Sequence, residues 1–592
     1  MPEEKLFAHL LSCPSQSKWK RILPKRRSGI LAPLFSLYSK DSAGIGELDD
    51  LKLLVDWCKQ TGNSIIQLLP MNETGPVFCP YDSVSSFALE PAYLRVKGIK
   101  NKPLADHVDY TIKEEKLNRL REIFSCEFAQ DQEEVSGFVA ENSYWIVDFV
   151  LFKALKHKFQ GLPWYEWPEE FKQRSRHALT EFMNNHQQEI DFQSWLQYKL
   201  FIKFKEIKAY AQASGILFKG DLPILVSRDS ADVWSHPEYF KLDFAAGAPP
   251  DMYCAKGQRW GMPTYNWEKI ASDGYQYLKE KLKYSQNFYD ILRIDHVVGL
   301  FRIWSIPYSQ PLENQGLHGV FDPADEHFWR EHGRNLLQHL VENTDMLLCA
   351  EDLGVIPKAC PEGLWDFGIP GNDVQRWVKD WQVRHDFLAS GEYRFLSVAM
   401  LSTHDTTNWA AWWENESGTV DGLLFNRKCN EKGIDFALLK DKIFDLQRSG
   451  RGRLRWLESI NSSDVLIHIL GKKKEEVGDL VEMYMNTYQE KEKLWKAMKL
   501  KGRMREKCDQ EIMAAALKIT LSARSIFCIE NIFDWMYFNG ELSGDPYLYR
   551  INTPGTVGPQ NWSLRLPLSL EELLKHKSNA QIKKMISGAG RI

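Results

Sequence analysis

The stretch DILRIDH, residues 290–296, decides the interpretation of the whole chain, because a short apolar run ends there in charged residues. Its length and its Ile and Leu content are typical of a strand that is buried on both faces of a parallel sheet. Six further runs have the same character: GILAPLFSL (29–37), SIIQLLPMN (64–72), GILFKGDLPI (215–224), MLLCAEDLG (346–354), SVAMLSTHD (397–405) and SIFCIEN (525–531).

Helical patterns lie between several of these runs. One is ELDDLKLLVDWCKQTG, residues 47–62, in which Gly62 stands where a helix C-cap is expected. Strands that alternate with helices predict a parallel sheet. An eighth strand near residues 368–377 would complete a (β/α)8 barrel, the TIM barrel, and this is the predicted fold class.

Two long stretches interrupt the alternation. We interpret residues 73–214 and 406–524 as large, mostly helical insertions in the connections from strand to helix. The predicted organisation is therefore a lead-in over 1–28, a single catalytic domain over 29–577 that includes both insertions, and a C-terminal tail over 578–592.

Composition excludes several classes of protein. A formal net charge of −4 over 592 residues gives no reason to expect nucleic acid or an anionic membrane as a partner. The ten cysteines show no C-x-x-C pair and no zinc spacing, which indicates reduced thiols. No apolar run approaches the roughly 20 residues needed to cross a bilayer, and the N-terminal residues lack a signal-peptide core. We expect a cytoplasmic protein, and the sequence does not indicate its oligomeric state.

Polar residues that are able to act in catalysis or binding stand at the ends of the predicted strands. In a barrel the carboxyl ends of the strands gather at one face, where side chains are usually functional. Carboxylates beside runs of Leu, Ile and Cys also require partners or a function. The candidates are Asp221, Arg293, Asp295, His296, Glu351, Asp352, His404 and Asp405.

Several carboxylates without a metal-binding cluster or a Gly-rich phosphate loop favour glycoside cleavage, with no metal or organic cofactor. In the retaining form one carboxylate attacks the anomeric carbon and a protonated one donates to the leaving oxygen. Arg293 projects to the same side of its strand as Asp295 and would keep it ionised, whereas Glu351 would need a raised pKa.

Less specific interpretations remain open for each residue. A single acid at a strand end can be a helix N-cap or half of an ion pair. Asp352 can be a structural partner, and His296 and His404 can be packed histidines. Aromatic residues make up 12% of the chain, which only weakly favours a sugar ligand.

The motifs together resemble glycoside hydrolase family 77, the amylomaltases and disproportionating enzymes. The resemblance extends from about Gly29 to Pro567, and the ordered RIDH, EDLG and THD motifs with the GQRWG tract are specific to it. The motifs that carry it are DSAGIGELDDL (41–51), CPYDSVSSFALEP (79–91), LPWYEWPEE (162–170), KGDLPILVSRDSADVWSHPE (219–238), AGAPPDMYCAKGQRWGMPTYNW (246–267), LRIDHVVGLFRIWSIPY (292–308), CAEDLGVIP (349–357), LSTHDTTNWAAWW (401–413) and INTPGTVGPQNWSLRLP (551–567).

The resemblance implies a role for each candidate residue. By it, Asp295 is the nucleophile, Glu351 the acid/base, and Asp405 the third carboxylate, which stabilises the transition state. Arg293, His404 and His296 resemble the groups that support them. The residues that match substrate-binding positions are Tyr81, Asp221, Gln258 and Trp260.

The implied activity is that of a 4-α-glucanotransferase, which transfers α-1,4-glucan segments, or glucosyl units of maltose, to the 4-hydroxyl of an acceptor glucan with retention. The alternatives are a mainly hydrolytic α-glucanase on the same fold and an inactive glucan-binding protein. The implied partners are α-1,4-glucans: maltose and maltodextrins, with glycogen and starch as further candidates. The preferred donor stays open. The chain departs from commoner family members at Met262, at Glu530 and Asn531, and over 370–377.

Overall fold

The computed structural model describes residues 3–99, 106–250 and 255–592. An eight-stranded parallel sheet lies at its centre and confirms the seven predicted strands and the predicted eighth. The strands are β1 (Arg27–Leu31), β2 (Ile65–Gln67), β3 (Leu217–Leu222), β4 (Ile291–Ile294), β5 (Leu347–Ala350), β6 (Gly371–Val374), β7 (Ser397–Met400) and β8 (Phe527–Asn531).

The sheet closes on itself. Its order is β6-β7-β8-β1-β2-β3-β4-β5, so neighbours in the chain are neighbours in the sheet. The backbone N–H of Ala350, at the end of β5, donates to Pro370 O, just before β6, at 2.7 Å. The predicted (β/α)8 barrel is therefore confirmed. The strands are almost entirely buried, as their continuous apolar runs require.

Helices cover the outside of the barrel after seven of the eight strands. They are Asp50–Thr61, Gln187–Ala213, Gln276–Ser285, Trp329–Glu342, Ala359–Phe367, Gln510–Leu521 and Ile532–Asn539. The connection from β6 to β7, every residue of which is described, has instead short 3₁₀ turns and a hairpin of Lys379–Asp380 and Asp386–Phe387. This connection departs from the regular alternation of strand and helix.

The N-terminal segment packs beside this connection. Its helices are Glu3–Leu10 and Gln16–Ile22. The ring of His9 stacks on Trp365 with centroids 4.2 Å apart, and the Trp19 indole N–H donates to Gly368 O at 2.9 Å. The predicted lead-in thus contributes to the packing of the barrel.

Both predicted insertions contain the expected helices. The first contains Ile112–Glu141, Ser143–Lys158, Glu169–Lys172 and Arg176–Asn185. The second contains Gly422–Glu431, Lys440–Ile443, Ser463–Leu470, Gly478–Thr487 and Glu490–Ala497. The second also has an unpredicted antiparallel sheet of Thr419–Asp421, Phe444–Gly450 and Arg453–Trp456, and a separate hydrophobic core around residues such as Phe425 and Tyr484.

A second unpredicted sheet lies on the carboxyl side of β3 and β4. Its antiparallel strands are Phe240–Ala248, Gln258–Tyr265, Ile303–Pro307 and Val320–Asp322. Its backbones approach closely at Gly247, where a Cβ atom would lie 2.1 Å from Gln258 O. The sheet holds the GQRWG tract over the barrel opening.

The C-terminal residues also pack against the barrel. After the short helix Leu570–Lys575, helix Asn579–Gly588 buries Ile582 and Ile586. Arg591 is completely buried, and its guanidinium donates to backbone carbonyls of residues 521–526. The division into domains drawn from the sequence remains a prediction. Within the described ranges, no helix has the length and apolar character needed to span a membrane.

Candidate active site

A cleft of about 2020 Å³ opens at the carboxyl ends of the barrel strands. Every site residue predicted from the sequence lines it except Asp221, which lies just beneath its floor with 3% exposure. The cleft exceeds the roughly 300–1,000 Å³ of an ordinary small-molecule pocket. It therefore has room for several linked units of a polymer.

Arg293 connects two of the carboxylates in the cleft. Its Nη1 lies 2.7 and 2.8 Å from the two oxygens of Asp221 and 2.8 Å from Asp295 Oδ1. Asp221 and Arg293 lie on adjacent strands, β3 and β4, and are paired in register. This pairing brings the guanidinium to the carboxylate. Tyr81 adds a hydrogen bond from its hydroxyl to Asp221 Oδ2 at 2.7 Å. The guanidinium thus fixes the carboxylate of Asp295 from one side.

The ionisation of Asp295 reflects opposing influences. Burial raises its pKa, the positive charge of Arg293 opposes this, and the negative charges of Asp221 and Asp405 raise it further. The net result is a pKa above the ordinary value of an aspartate. Asp295 stays acidic enough to serve as an anion because Arg293 offsets much of the cost of burial.

Glu351 has a different set of neighbours. Its Oε2 accepts the backbone N–H of His296 at 2.9 Å, and its Oε1 accepts that of Leu353 at 3.0 Å. Burial raises the pKa of Glu351 strongly, Arg293 opposes the rise, and Asp295 reinforces it. The pKa of Glu351 lies above that of Asp295. This arrangement favours a protonated Glu351 beside an ionised Asp295.

Asp405 lies in the third position, after β7. Its Oδ1 accepts a hydrogen bond from Asn552 Nδ2 at 2.7 Å, and its Oδ2 lies 3.2 Å from His404 Nε2. Burial alone would raise the pKa of Asp405, but His404, the Asn552 amide and Arg293 outweigh burial and lower it to about 2. Asp405 is therefore an anion throughout the physiological pH range.

An aromatic wall borders Asp405. The rings of Tyr81 and His404 stack with centroids 5.0 Å apart, and Trp562 lies 5.6 Å from Tyr81. Aromatic faces of this kind pack against apolar faces of ligands. The wall joins residues from three distant parts of the chain.

The antiparallel sheet that contains the strand Gln258–Tyr265 forms the opposite border of the cleft. The Trp260 indole N–H donates to Gln258 Oε1 at 2.9 Å, and the Trp260 ring meets His296 edge to face at 4.9 Å. Burial lowers the pKa of His296 to about 4, so its ring is neutral at neutral pH. His296 contributes its backbone N–H to Glu351, and its backbone φ of 45° is in the left-handed region. All ten predicted residues are thus brought together.

Asp352, next to Glu351, is a structural partner. It forms an ion pair with Arg394 at 2.5 Å and accepts the backbone N–H of Asn372 at 2.6 Å. These bonds join the segment after β5 to β6. The structure therefore favours the structural interpretation of Asp352.

Sequence reasoning assigned no role to three residues near Asp405. Asn552 binds its carboxylate, Arg550 Nη2 donates to its backbone oxygen at 3.0 Å, and Trp562 extends the aromatic wall. All three lie in or beside the motif INTPGTVGPQNW, residues 551–562. The resemblance of this motif to the family was the signal in the sequence that could have identified these three residues.

The residues that depart from the commoner family pattern have identifiable positions. Met262 lines the cleft. Glu530 is completely buried and accepts the backbone N–H of Leu401 at 2.9 Å, and the Asn531 side chain caps the helix that follows β8. In the described part of the chain, no group of three or more His, Cys, Asp or Glu side chains is arranged to hold a metal.

Comparisons with known proteins agree with this geometry. Residues 32–570 match the family model for glycoside hydrolase family 77, described as 4-alpha-glucanotransferase. The 4-alpha-glucanotransferase of Chlamydia pneumoniae is 32% identical and aligns over 97% of this chain and 98% of its own. The 4-alpha-glucanotransferase DPE2 of Oryza sativa subsp. japonica is 27% identical over 69% of this chain and 61% of its own.

A solved structure shares the fold. The amylomaltase from Streptococcus agalactiae in complex with acarbose superposes with a TM-score of 0.69 and 23% identity, covering 96% of this chain and 100% of that one. The family model and the chlamydial relative both extend over nearly all of the barrel and its insertions. The chain belongs to glycoside hydrolase family 77.

Proposed function

We propose that the protein is a 4-α-glucanotransferase that moves α-1,4-glucan segments between chains by a retaining double displacement. The single observation that carries the proposal is the different hydrogen bonding of two acids in the cleft: Arg293 binds Asp295, whereas among the described residues backbone N–H groups alone bind Glu351. A nucleophile and a proton donor need this difference. Family membership supports the same activity.

In the first half of the reaction, a carboxylate oxygen of Asp295 forms a bond to the anomeric carbon of the donor glucan. The bond from that carbon to the 4-oxygen of the next sugar breaks, and Glu351 gives its proton to this oxygen. Asp405, anionic and fixed by Asn552, is positioned to accept hydrogen bonds from sugar hydroxyls and to stabilise the positive charge that develops on the ring.

In the second half, the 4-hydroxyl of an acceptor glucan attacks the anomeric carbon. Glu351, now ionised, removes the proton of that hydroxyl, and the ester bond to Asp295 breaks. Two inversions at one carbon restore the α configuration. Transfer exceeds hydrolysis when sugar occupies the acceptor side of the cleft. Aromatic rings line both borders of the cleft, Trp260 on one and Trp562 on the other, and are suited to pack against sugar rings.

Substrate length is the finer part of the proposal. The volume of the cleft supports oligosaccharide or polymer substrates over a single disaccharide. We retain maltose, maltodextrins, glycogen and starch as the candidate α-1,4-glucans, and a cytoplasmic location as a prediction.

Chromatographic product profiling tests the activity. The enzyme is incubated with maltotriose, with maltose, and with maltose plus glycogen. Glucose together with a ladder of longer dextrins from maltotriose supports disproportionation, and release of glucose from maltose only when glycogen is present supports transfer to polysaccharide. Glucose and maltose without longer products would identify a hydrolase, and no change in any mixture would exclude both transfer and hydrolysis of these glucans.

A further inference from the structure

A buried lysine lies beneath the carboxylates and has no part in the mechanism above. Lys219, on β3, has no exposed surface. It stands two residues before Asp221, so both side chains project to the same face of the strand, about 7 Å apart at the Cα atoms. Asp221 faces the barrel interior, where it binds Arg293. Lys219 therefore occupies the interior one layer below the cleft floor.

The surroundings of Lys219 contain little to neutralise an ammonium group. Its Nζ donates to Gln67 Oε1 on β2 at 2.8 Å. Across β3 and β4 it is in register with Ile291. Among the described residues it forms no ion pair within 4.0 Å, whereas Lys116, another fully buried lysine, lies 2.6 Å from Glu47.

Three ionisable groups act electrostatically on Lys219: Asp221 on the same strand, Arg293 on β4 and the thiol of Cys349 on β5. Burial raises the pKa of Cys349 to about 11, so this thiol is neutral. Burial lowers the pKa of Lys219 and the positive charge of Arg293 lowers it further, whereas Cys349 and the negative charge of Asp221 oppose these effects.

Burying an ammonium without a carboxylate partner is costly, and replacing such a group with an apolar one is often neutral or stabilising. Fold stability alone gives no reason for a lysine here. The acids of the cleft do give one, because the carboxyl groups of Asp221, Asp295 and Asp405 gather around the guanidinium of Arg293. Among the described residues, Arg293 binds Asp221 and Asp295, whereas Asp405 has the His404 ring and the Asn552 amide beside it.

We infer that Lys219 is a positioning residue whose buried positive charge keeps Asp295 ionised in the free enzyme. The inference deepens the proposed function and rests on it. Lys219 touches no substrate; it acts through the field that it adds to Arg293 beneath the cleft. In a low-dielectric interior such a charge acts over several ångströms without direct contact.

The test is the pH dependence of kcat/KM for disproportionation of maltotriose by Lys219→Met and by Lys219→Gln, which retains a partner for Gln67. The acid limb of this profile reports ionisation of Asp295 in the free enzyme. Loss of the positive charge is expected to move the limb upward by about one pH unit, as for two charges about 10 Å apart at an effective dielectric constant of about 20.

Lys208→Met is the matched control. Lys208 is also a buried lysine, but it lies outside the barrel, where it donates to Tyr289 O at 2.8 Å and lies 3.8 Å from Asp290. Its loss is expected to lower the melting temperature and to leave the acid limb unchanged. The wild-type enzyme measured in parallel establishes the activity itself.

An upward shift in the folded Lys219 variants, absent in Lys208→Met, supports the inference. An unchanged limb in either folded variant overturns it. Failure of both Lys219 variants to fold also overturns it, because the lysine would then serve stability. If the wild-type enzyme produced no transfer products, the proposed function would fail, an outcome distinct from an active enzyme with an unmoved limb.

Discussion

Glu351 and Asp405 both follow strands of the barrel, β5 and β7, and line the same cleft, and yet their pKa values shift in opposite directions. Glu351 accepts hydrogen bonds from two backbone N–H groups and its pKa is raised. Asp405 has the Asn552 amide and the His404 ring beside it, and its pKa falls to about 2. Both side chains are acids at the same end of one barrel, so neither residue type nor position in the fold accounts for the difference.

The comparison shows that the pKa of each carboxyl depends on the groups that surround it. The pKa of Asp295 is intermediate, because its side chain is half-buried but contacts Arg293 at 2.8 Å. The roles that we propose for the three acids, a proton donor, a nucleophile and a permanent anion, thus rest on differences in the number and sign of nearby polar groups.

The largest effect is expected for Asp295→Asn. The amide cannot form the covalent intermediate, so transfer from maltotriose should fall by more than about 1,000-fold. Asp273→Asn is the control, because Asp273 is exposed and its carboxylate accepts a hydrogen bond from the hydroxyl of Tyr239; it should retain wild-type activity. Residual activity of Asp295→Asn above about a thousandth of the wild-type value would rule out the nucleophile role.

Glu351→Gln is expected to have a large effect that depends on the leaving group. Loss of the proton donor should lower activity on maltotriose by about 100- to 10,000-fold. Fluoride departs without protonation, so the initial burst of fluoride from α-glucosyl fluoride should be much less affected. Asp295→Asn should lose both reactions, and equal losses of both in Glu351→Gln would contradict the acid/base assignment.

The barrel and most of the site followed from the sequence because both depend on local patterns. A buried strand requires a continuous apolar run, and a polar residue that ends such a run lies at the rim of the barrel. These rules identified β4 with Asp295 and β5 with Glu351. The roles of the residues came from resemblance to the family, since residue types alone left N-caps and ion pairs open.

The remaining features depend on contacts that local patterns do not encode. Asn552 binds Asp405 across 147 positions in the sequence. The strand Gln258–Tyr265 contains Gly261 and Pro263, residues that argue against a strand. The missing helix between β6 and β7 is likewise a matter of tertiary packing, because the N-terminal helices lie beside that connection.

A moderate effect is expected at Asn552. Asn552→Ala removes the hydrogen bond that orients Asp405, and kcat/KM should fall by about tenfold, the order expected for a hydrogen bond to a charged group. Asn552→Asp should be worse, because a second carboxylate 2.7 Å from Asp405 raises its pKa. Identical kinetics for wild type and Asn552→Ala would remove Asn552 from the support of Asp405.

The smallest effect on activity is expected for Glu530→Gln, which tests whether a buried acid outside the cleft also has a raised pKa. Burial raises the pKa of Glu530 to about 7 from 4.5. Because the folded state then holds a proton that the unfolded state has released, stability falls as pH rises through this window. Gln keeps an oxygen for the Leu401 N–H and removes the titration.

The free energy of unfolding of Glu530→Gln, relative to wild type, should therefore increase by about 2 kcal/mol between pH 5 and pH 8.5. Urea unfolding at the two pH values measures it, with Glu475→Gln as the control, since Glu475 is exposed. A difference that stays constant with pH would mean that Glu530 titrates normally. Glu530 also accepts the backbone N–H of Leu401, in the segment that leads to Asp405. Gln keeps this hydrogen bond and removes the charge, so unchanged activity would show that the site does not need the charge of Glu530.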